Sequence, residues 1–273
     1  HEAHEINSVV FSPDGRQVLT VAIDHRTRLW NWPEAVANAG PPKIFDLAGT
    51  MNSAVFSPAG DKILTASDDG YARLWNKKGE PLDSLDHYGV EITMAIFSPT
   101  AKQILTAAAD GLTRVWSDRG KLVDSLQTGE IETAVFSPDG KQVLIVESNG
   151  PVKLWNPRAQ RSDSLIHPKN VVVKSAVFSP HLRGGQILTA ATDGVARLWN
   201  QQGELIAELD GHRQKELTVA AFSPNGKQIL TAAFDNTVKL WWMPQTIFDW
   251  LKQARVYRLT NKEKEQYRIK EAK

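Results

Sequence analysis

Two adjacent carboxylates, Asp68 and Asp69, lie within the stretch LTASDDGYARLWN at residues 64–76. Paired carboxylates could act as a general acid and a general base, or they could bind a metal ion. They could also form a turn, because Asp followed by Gly is a frequent hairpin turn. The choice depends on whether the pair stands alone in the chain or belongs to a recurring structural element.

A second stretch that could bind a metal is HEAHE at residues 1–5. A zinc-protease helix carries its histidines four residues apart, whereas His1 and His4 are three apart. The sequence has no phosphate-binding P-loop and no Gly-x-Ser-x-Gly nucleophile elbow. We therefore expect a protein that is not an enzyme and that uses no metal and no cofactor.

The composition limits the classes of partner. The chain has 273 residues and a formal net charge of +1, so no global positive field attracts nucleic acid. It contains no cysteine, which excludes disulfides, thiol nucleophiles and thiolate metal sites. No apolar run approaches the roughly eighteen residues of a membrane-spanning helix. We expect neither a nucleic-acid partner nor a membrane partner.

Nearly the whole sequence before residue 243 is built from one repeated unit. The tripeptide Phe-Ser-Pro recurs at intervals of 39 to 45 residues, beginning at Phe11, Phe56, Phe97, Phe136, Phe178 and Phe222. A tryptophan closes each unit, at Trp30, Trp75, Trp116, Trp155, Trp199 and Trp241. The Asp68–Asp69 pair therefore belongs to the second of six repeats.

Each unit alternates apolar and polar residues with the period of a β-strand. The first strand, such as INSVVF, ends before a proline and a turn signal such as Asp14-Gly15. A strand of the type QVLTVA follows, then a turn with an acidic residue, a strand that ends at the tryptophan, and a weaker fourth strand. Four short antiparallel strands in about 40 residues are typical of a propeller blade. The sequence predicts an all-β propeller with six four-stranded blades.

The chain resembles the WD-repeat β-propellers, and its fullest copy of their motif is DGHRQKELTVAAFSPNGKQILTAAFDNTVKLW at residues 210–241. The resemblance implies a hydrogen-bonded tetrad of Trp, Thr, His and Asp in each blade. An indole N–H only donates and a carboxylate only accepts, whereas hydroxyl and imidazole do both, so such a chain satisfies every member. The tetrads implied are His4, Thr20, Asp24 and Trp30; His87, Thr106, Asp110 and Trp116; His167, Thr189, Asp193 and Trp199; and His212, Thr231, Asp235 and Trp241.

Two blades depart from this pattern. The second has Thr65 and Asp69 but no histidine, and the fourth has Ile145 and Asn149 where the hydroxyl and the acid would lie. We expect these two blades to be held more by apolar contacts than the others are. Asp69 is then a turn residue, and Asp68 is left free for another role.

Residues 1–242 are predicted to form the propeller, and residues 243–273 a C-terminal helical extension. An apolar stripe at helical spacing indicates the extension: Ile247, Trp250, Leu251 and Ala254. No clear fourth strand follows Trp241, and we expect the chain to have been cut from a longer one that supplies it. The tail resembles the ending of bacterial WD-repeat proteins, including those of multidomain signal transduction, which implies a cytoplasmic protein.

The resemblance implies a rigid platform for protein–protein interaction or ligand sensing, as a sensor or scaffold module of a larger bacterial signalling protein. The alternatives are a free-standing scaffold and a propeller enzyme with a site at the channel mouth. In this fold, loops from second to third strands and from fourth to first strands lie on the narrow face, and loops are where function resides. The candidate binding residues on this face are Ile23, Asp68, Tyr88, Glu91, Arg213 and Phe234. If the first and sixth blades meet, Ile23 and Phe234 form an apolar patch beside Asp68.

Overall fold

The computed structural model describes the residues in the ranges 6–22, 24, 26–31, 41–46, 49–148, 150–180 and 185–243. The tetrad residue His4, the binding candidate Ile23 and the fourth-blade Asn149 lie outside these described residues. So does the predicted helical extension, except for its first residue, Met243.

Six antiparallel sheets form the blades. The first contains β1 (Ile6–Phe11), β2 (Gln17–Ala22), β3 (Arg26–Asn31) and β4 (Lys43–Asp46). The second contains β5 (Met51–Phe56), β6 (Lys62–Ser67), β7 (Tyr71–Asn76) and β8 (Pro81–Asp86). The third contains β9 (Ile92–Phe97), β10 (Gln103–Ala108), β11 (Leu112–Ser117) and β12 (Leu122–Gln127).

The remaining three sheets follow the same plan. The fourth contains β13 (Ile131–Phe136), β14 (Val143–Glu147), β15 (Val152–Asn156) and β16 (Arg161–Leu165), with a short 3-10 helix at Pro157–Ala159. The fifth contains β17 (Val173–Phe178), β18 (Ile187–Ala191), β19 (Val195–Trp199) and β20 (Leu205–Asp210). The sixth contains β21 (Leu217–Phe222), β22 (Gln228–Ala233) and β23 (Val238–Trp242).

Strands that are consecutive in sequence are neighbours in every sheet. The all-β class and the six repeated sheets predicted from the sequence are confirmed. The sixth sheet differs from the four-stranded prediction, because it has three strands in the part of the chain that the structure describes. This agrees with the absence of a clear strand pattern directly after Trp241.

The recurring Phe-Ser-Pro-Asp-Gly sequence builds the turn between first and second strands. Ser12 Oγ donates to Asp14 Oδ1 at 2.6 Å, and the Arg16 N–H donates to the same oxygen at 3.0 Å. Gly15 follows at φ 68°, a conformation that favours glycine. The same two hydrogen bonds recur around Asp139 and Asn225.

The apolar core lies between blades. At the first interface, Leu19 and Val21 of the first blade pack with Met51, Ala54 and Phe56 of the second. Four further clusters join the second blade to the third, the third to the fourth, the fourth to the fifth and the fifth to the sixth. First strands of successive blades lie against each other at four interfaces, which join β1 to β5, β5 to β9, β13 to β17 and β17 to β21.

The sixth and first blades are joined by no apolar cluster among the described residues. Phe11 of the first blade is exposed, although its counterpart Phe56 is buried. Leu240 of the sixth blade is exposed, although its counterpart Leu198 is buried. The expected patch beside Asp68, which depended on these two blades meeting, therefore has no support in the described contacts.

Candidate functional site

The indole of the closing tryptophan donates to a threonine hydroxyl in five of the six blades. The two residues are ten apart in sequence and lie on paired strands, which brings the side chains together. The bonds are 2.8–3.0 Å long and join Trp30 to Thr20, Trp75 to Thr65, Trp116 to Thr106, Trp199 to Thr189 and Trp241 to Thr231. Each buried indole N–H thereby has an acceptor.

The full chain of four residues forms in the sixth blade. His212 Nε2 lies 2.7 Å from Thr231 Oγ1, and His212 Nδ1 lies 3.1 Å from Asp235 Oδ2. The hydroxyl of Thr237 also donates to Asp235, at 2.6 Å. The hydrogen bond from Thr237 has the largest effect on the pKa of Asp235, and together with the bond from His212 it lowers that pKa to about 2, although burial acts to raise it.

In four other blades, the turn aspartate pairs with an arginine four residues later. The pairs are 2.6–2.7 Å long and join Asp24 to Arg28, Asp69 to Arg73, Asp110 to Arg114 and Asp193 to Arg197. The expected histidine–aspartate bond is therefore corrected for the third and fifth blades. A guanidinium is a charged, multivalent donor, so it outcompetes a neutral imidazole for the carboxylate.

All five described turn aspartates share one further role. Each carboxylate accepts a hydrogen bond from the backbone N–H two residues later, at 2.9–3.2 Å. This is the side-chain turn that favours Asp and Asn at such positions. The five residues are Asp24, Asp69, Asp110, Asp193 and Asp235.

The third-blade histidine is buried without the partners that the tetrad would give it. Arg114 donates to His87 Nδ1 at 3.2 Å, and His87 Nε2 has no hydrogen-bond partner. Burial, and then the nearby charge of Arg114, lower the pKa of His87 to about 4. His87 is therefore neutral in the folded protein near neutral pH.

The fifth-blade histidine completes only part of the chain. His167 Nε2 lies 3.0 Å from Thr189 Oγ1, and its Nδ1 lies 3.1 Å from the carbonyl oxygen of Leu165. Arg197 forms an ion pair with the carboxylate of Asp193 and a second one with Glu208 Oε1, at 2.8 Å. Burial lowers the pKa of His167.

The fourth blade has a polar network of its own beside the apolar contacts that we expect to contribute more there. Because Ile145 offers no acceptor, Trp155 Nε1 donates to Asp124 Oδ2 of the neighbouring third blade at 3.1 Å. Buried Glu147 and partly exposed Lys153 form an ion pair of 2.6 Å. The second blade, which has no histidine, still keeps its indole–hydroxyl bond and its Asp–Arg pair.

The adjacent carboxylates of the second blade are both held by structural contacts. Asp69 accepts from Arg73, from the Ser67 hydroxyl and from a backbone N–H. Burial acts to raise the pKa of Asp69, but these hydrogen bonds outweigh it and hold the pKa below its usual value. Asp68 is not free, contrary to expectation, because Asp68 Oδ1 accepts from the Thr50 N–H at 2.7 Å. Within the described residues, no group of three or more His, Cys, Asp or Glu side chains could hold a metal.

Three of the candidate narrow-face residues belong to one pair of touching loops. The β6–β7 turn carries Asp68, and the β8–β9 connection carries Tyr88 and Glu91. A Cβ added to Gly70 would lie 2.6 Å from the backbone of the β8–β9 connection, so only glycine fits there. Glu91 Oε1 accepts from the Asn52 amide at 3.0 Å, which fixes that carboxylate between the second and third blades.

Two more candidates form a second group on the sixth blade. Phe234 lies in the β22–β23 turn, and its N–H donates to the Glu216 carbonyl of the β20–β21 connection at 3.0 Å. Arg213 lies in that connection, at φ 50°. The structure thus brings together Asp68, Tyr88 and Glu91, and separately Arg213 and Phe234, in equivalent loop pairs.

A groove between the fourth and fifth blades was missed at the sequence level. Its volume is about 520 Å³, and its walls include Pro151, Leu165, His167 and Val171, with Ile166 at its edge. It lies between a second-to-third-strand turn and a fourth-to-first-strand connection, so it opens on the narrow face. The signal available in the sequence was length, because seven residues separate β16 from β17 while five separate β8 from β9.

Comparison with known families gives one match. The family model described as "WD domain, G-beta repeat" matches residues 1–31, 43–76, 79–117 and 203–241, which together make up more than half of the chain. The fourth and fifth repeats, within residues 118–202, lie outside the matched residues. No curated protein sequence matches the chain. Among the described residues, no helix has the length and apolar character needed to cross a membrane.

Proposed function

The chain belongs to the WD domain, G-beta repeat family, and from that premise we propose that it is a non-catalytic platform that binds a protein partner on its narrow face. WD repeats generally mediate protein–protein interaction or scaffolding. The observation that carries the proposal is the exposure of large apolar side chains on loops of one face. Tyr88 is 87% exposed, Ile166 is 84% exposed and Phe234 is 64% exposed.

The chemistry of these loops suits a protein partner. Exposed aromatic and aliphatic side chains act as anchors in protein interfaces, with polar residues around them. The groove beside Ile166 has the volume of a small-ligand pocket and apolar walls, so it fits one or two apolar side chains of a partner. Glu91 and Arg213 supply charged groups near the two other anchors.

The repeated aspartates are held in structural contacts, which supports a non-catalytic role for the protein. A general base needs a carboxylate that can reach a substrate proton. Asp69, Asp110 and Asp193 are instead paired with arginines and hold turns. Their chemistry is used for the stability of the blades.

We propose further that the platform is the sensor or scaffold module of a larger bacterial signalling protein of the cytoplasm. The support is the resemblance of the chain's ending to the C-terminal propellers of multidomain signalling proteins. The sequence of the full-length polypeptide tests this point. An ATPase or protease domain in the same polypeptide is the expected finding, and a polypeptide with no effector domain would favour the free-standing scaffold.

Affinity capture with the intact chain, followed by mass spectrometry, identifies the partner, and titration of the purified partner then tests the face. We expect Tyr88→Asn and Ile166→Ser each to weaken binding about tenfold or more, as for anchors in interfaces. Leu82→Ser is the matched control, because Leu82 is also exposed but lies on the outer strand β8. If all three variants keep the melting temperature and bind like the parent, the narrow face is not the binding surface.

A further inference from the structure

One side of the sixth blade exposes residues that every other blade buries. Val238 and Leu240 of β23 are 64% and 59% exposed. The residues equivalent to Leu240 are at most 5% exposed in the first five blades, where the next blade covers them: Leu29, Leu74, Val115, Leu154 and Leu198. The β23 positions thus keep the chemistry of a buried interface, and no blade among the described residues covers them.

These side chains form one continuous surface, which we call the sixth-blade face: Val219, Leu230, Val238, Leu240 and Trp242. Leu230 pairs directly with Leu240 across the ladder, and Val219 lies in the same row as Val238 through Ala232. All five side chains are exposed by more than two fifths. Continuous apolar surfaces of this kind are covered in most soluble proteins.

The chain itself has a segment that matches this face, and it begins where the face ends. Residues 244–273 follow β23 directly, and Ile247, Trp250 and Leu251 recur in them at helical spacing. Asp249 and Gln253 fall on the opposite side of the same helical pattern. We propose that residues 247–254 form an amphipathic helix that folds back along β23 and covers the sixth-blade face.

The dimensions agree with this placement. Met243 is buried on the side toward the fifth blade, and its N–H donates to the Lys227 carbonyl at 3.0 Å, so the chain leaves β23 at a fixed point. Residues 244–247 can span up to roughly 14 Å, enough to reverse direction and rise about 10 Å above the sheet. An apolar stripe of eight helical residues is about 10 Å long, and the exposed part of β23 is about 13 Å long.

This inference goes beyond the proposed function, because it assigns the sixth-blade face to the chain itself and leaves the narrow-face loops to the partner. A second copy of the chain is the other occupant with matching chemistry. The first blade exposes Ile6, Val9 and Phe11, whose counterparts in later blades pack against the preceding blade. Covering by a second copy would depend on protein concentration, whereas covering by the tail would not.

Thiol labelling of the full chain tests the proposal, because the chain contains no cysteine and an introduced one reports alone. We expect the thiol of Val238→Cys to react about tenfold more slowly than that of Leu122→Cys, a site on the outer strand β12, because burial protects a group in proportion to how rarely it opens. Adding Trp250→Glu and Leu251→Glu should restore fast labelling at position 238. Adding Gln253→Glu, on the polar side of the helix, should leave the protection unchanged.

Leu240→Cys repeats the measurement if the Val238 variant folds poorly. Three results would overturn the proposal. They are labelling of both face thiols as fast as at position 122, protection that survives Trp250→Glu with Leu251→Glu, and protection that disappears on dilution of the protein. The last result would assign the face to a second copy. None of these outcomes bears on the narrow-face loops, so the proposed function is tested separately.

Discussion

The third and sixth blades carry the same tryptophan, threonine, histidine and aspartate, yet they connect them differently. In the sixth blade, Asp235 accepts from His212, and the chain of hydrogen bonds runs unbroken to the indole. In the third blade, Asp110 pairs with Arg114, and His87 is left with one nitrogen unpartnered. The same four residue types therefore do not fix one network.

The two blades differ four residues after the aspartate, and also two residues after it, where Thr237 donates to Asp235 and Leu112 has no hydroxyl. Four blades have arginine four residues after the aspartate, and the sixth has Lys239. A planar guanidinium reaches the carboxylate and its neighbours with several donors at once, whereas a lysine ammonium is a single strongly hydrated charge. We expect the residue four positions after the aspartate to select whether the carboxylate pairs with an arginine or with a histidine.

The largest effect is expected from Arg197→Ala. Arg197 is 3% exposed and pairs with both Asp193 and Glu208. Its removal leaves Asp193 without its cationic partner, which should lower the free energy of unfolding by about 3 kcal/mol. Lys239→Ala at the equivalent position is the control and should change it by less than ~0.5 kcal/mol. Denaturant unfolding of both variants measures the two values, and equal losses would remove the distinction between the blades.

A pH effect should follow from His87 in the third blade. Its pKa is about 4 in the folded protein and 6.5 ordinarily, so between these values the unfolded chain binds a proton that the folded chain does not. The free energy of unfolding should therefore fall as the pH drops from 6.5 to about 4, by on the order of 2 kcal/mol for this group. The carboxylates with lowered pKa values act at lower pH, below their ordinary value of 3.8.

His87→Gln removes the titrating group and should flatten the profile over that range. The difference between the two unfolding curves, measured at several pH values, isolates the contribution of His87. A difference that does not change with pH would mean that His87 has an ordinary pKa in the folded protein.

A smaller loss of stability is expected at the hydrogen bond between the fourth-blade indole and a third-blade carboxylate. Asp124→Ala removes the acceptor of the Trp155 indole, which should cost about 1–2 kcal/mol. Asp83→Ala is the matched control, because Asp83 occupies the same place on β8 while Trp116 already has Thr106 as its acceptor. Thermal and denaturant unfolding of the pair give the comparison, and an equal cost would show that the borrowed bond contributes nothing.

The smallest energetic effect should come from Lys239→Arg, which gives the sixth blade the residue found in the others. We expect Asp235 to exchange His212 for the new arginine with a change in stability below ~1 kcal/mol. Nitrogen chemical shifts of His212, measured by NMR, report whether Nδ1 keeps its acceptor. Unchanged shifts would mean that the residue at this position does not select the network.

The sequence was sufficient to predict those contacts that depend on strand register within one hairpin. In a hairpin of this length, a tryptophan and a threonine ten residues apart lie diagonally on the same face, because Trp116 pairs with Ile104 and Thr106 with Arg114, so the indole–hydroxyl bond follows from spacing. Aspartate before glycine likewise indicates a turn. Both features repeat at nearly fixed intervals, so the fold could be predicted from the sequence.

Spacing was insufficient where donors compete or where blades meet. Arg114 is visible in the sequence. That Asp110 pairs with Arg114 and not with His87 depends on burial and charge in the folded structure. The hydrogen bond from Trp155 to Asp124 joins two blades, so the periodicity within one repeat does not predict it. The groove beside Ile166 depends on the path of the β16–β17 connection. The length of this connection can be read from the sequence, but its path cannot.

The coupling between Asp110 and Arg114, measured with the single variants Asp110→Ala and Arg114→Ala and the double variant, tests most directly whether the repeated aspartates are structural acceptors selected by the residue four positions later. The two single losses should exceed the double loss by a coupling energy of about 1–3 kcal/mol, as for side chains in one network. The same cycle on Asp235 and Lys239 should give a coupling near zero. Additive losses at Asp110 and Arg114, or an equal coupling in both blades, would contradict the account.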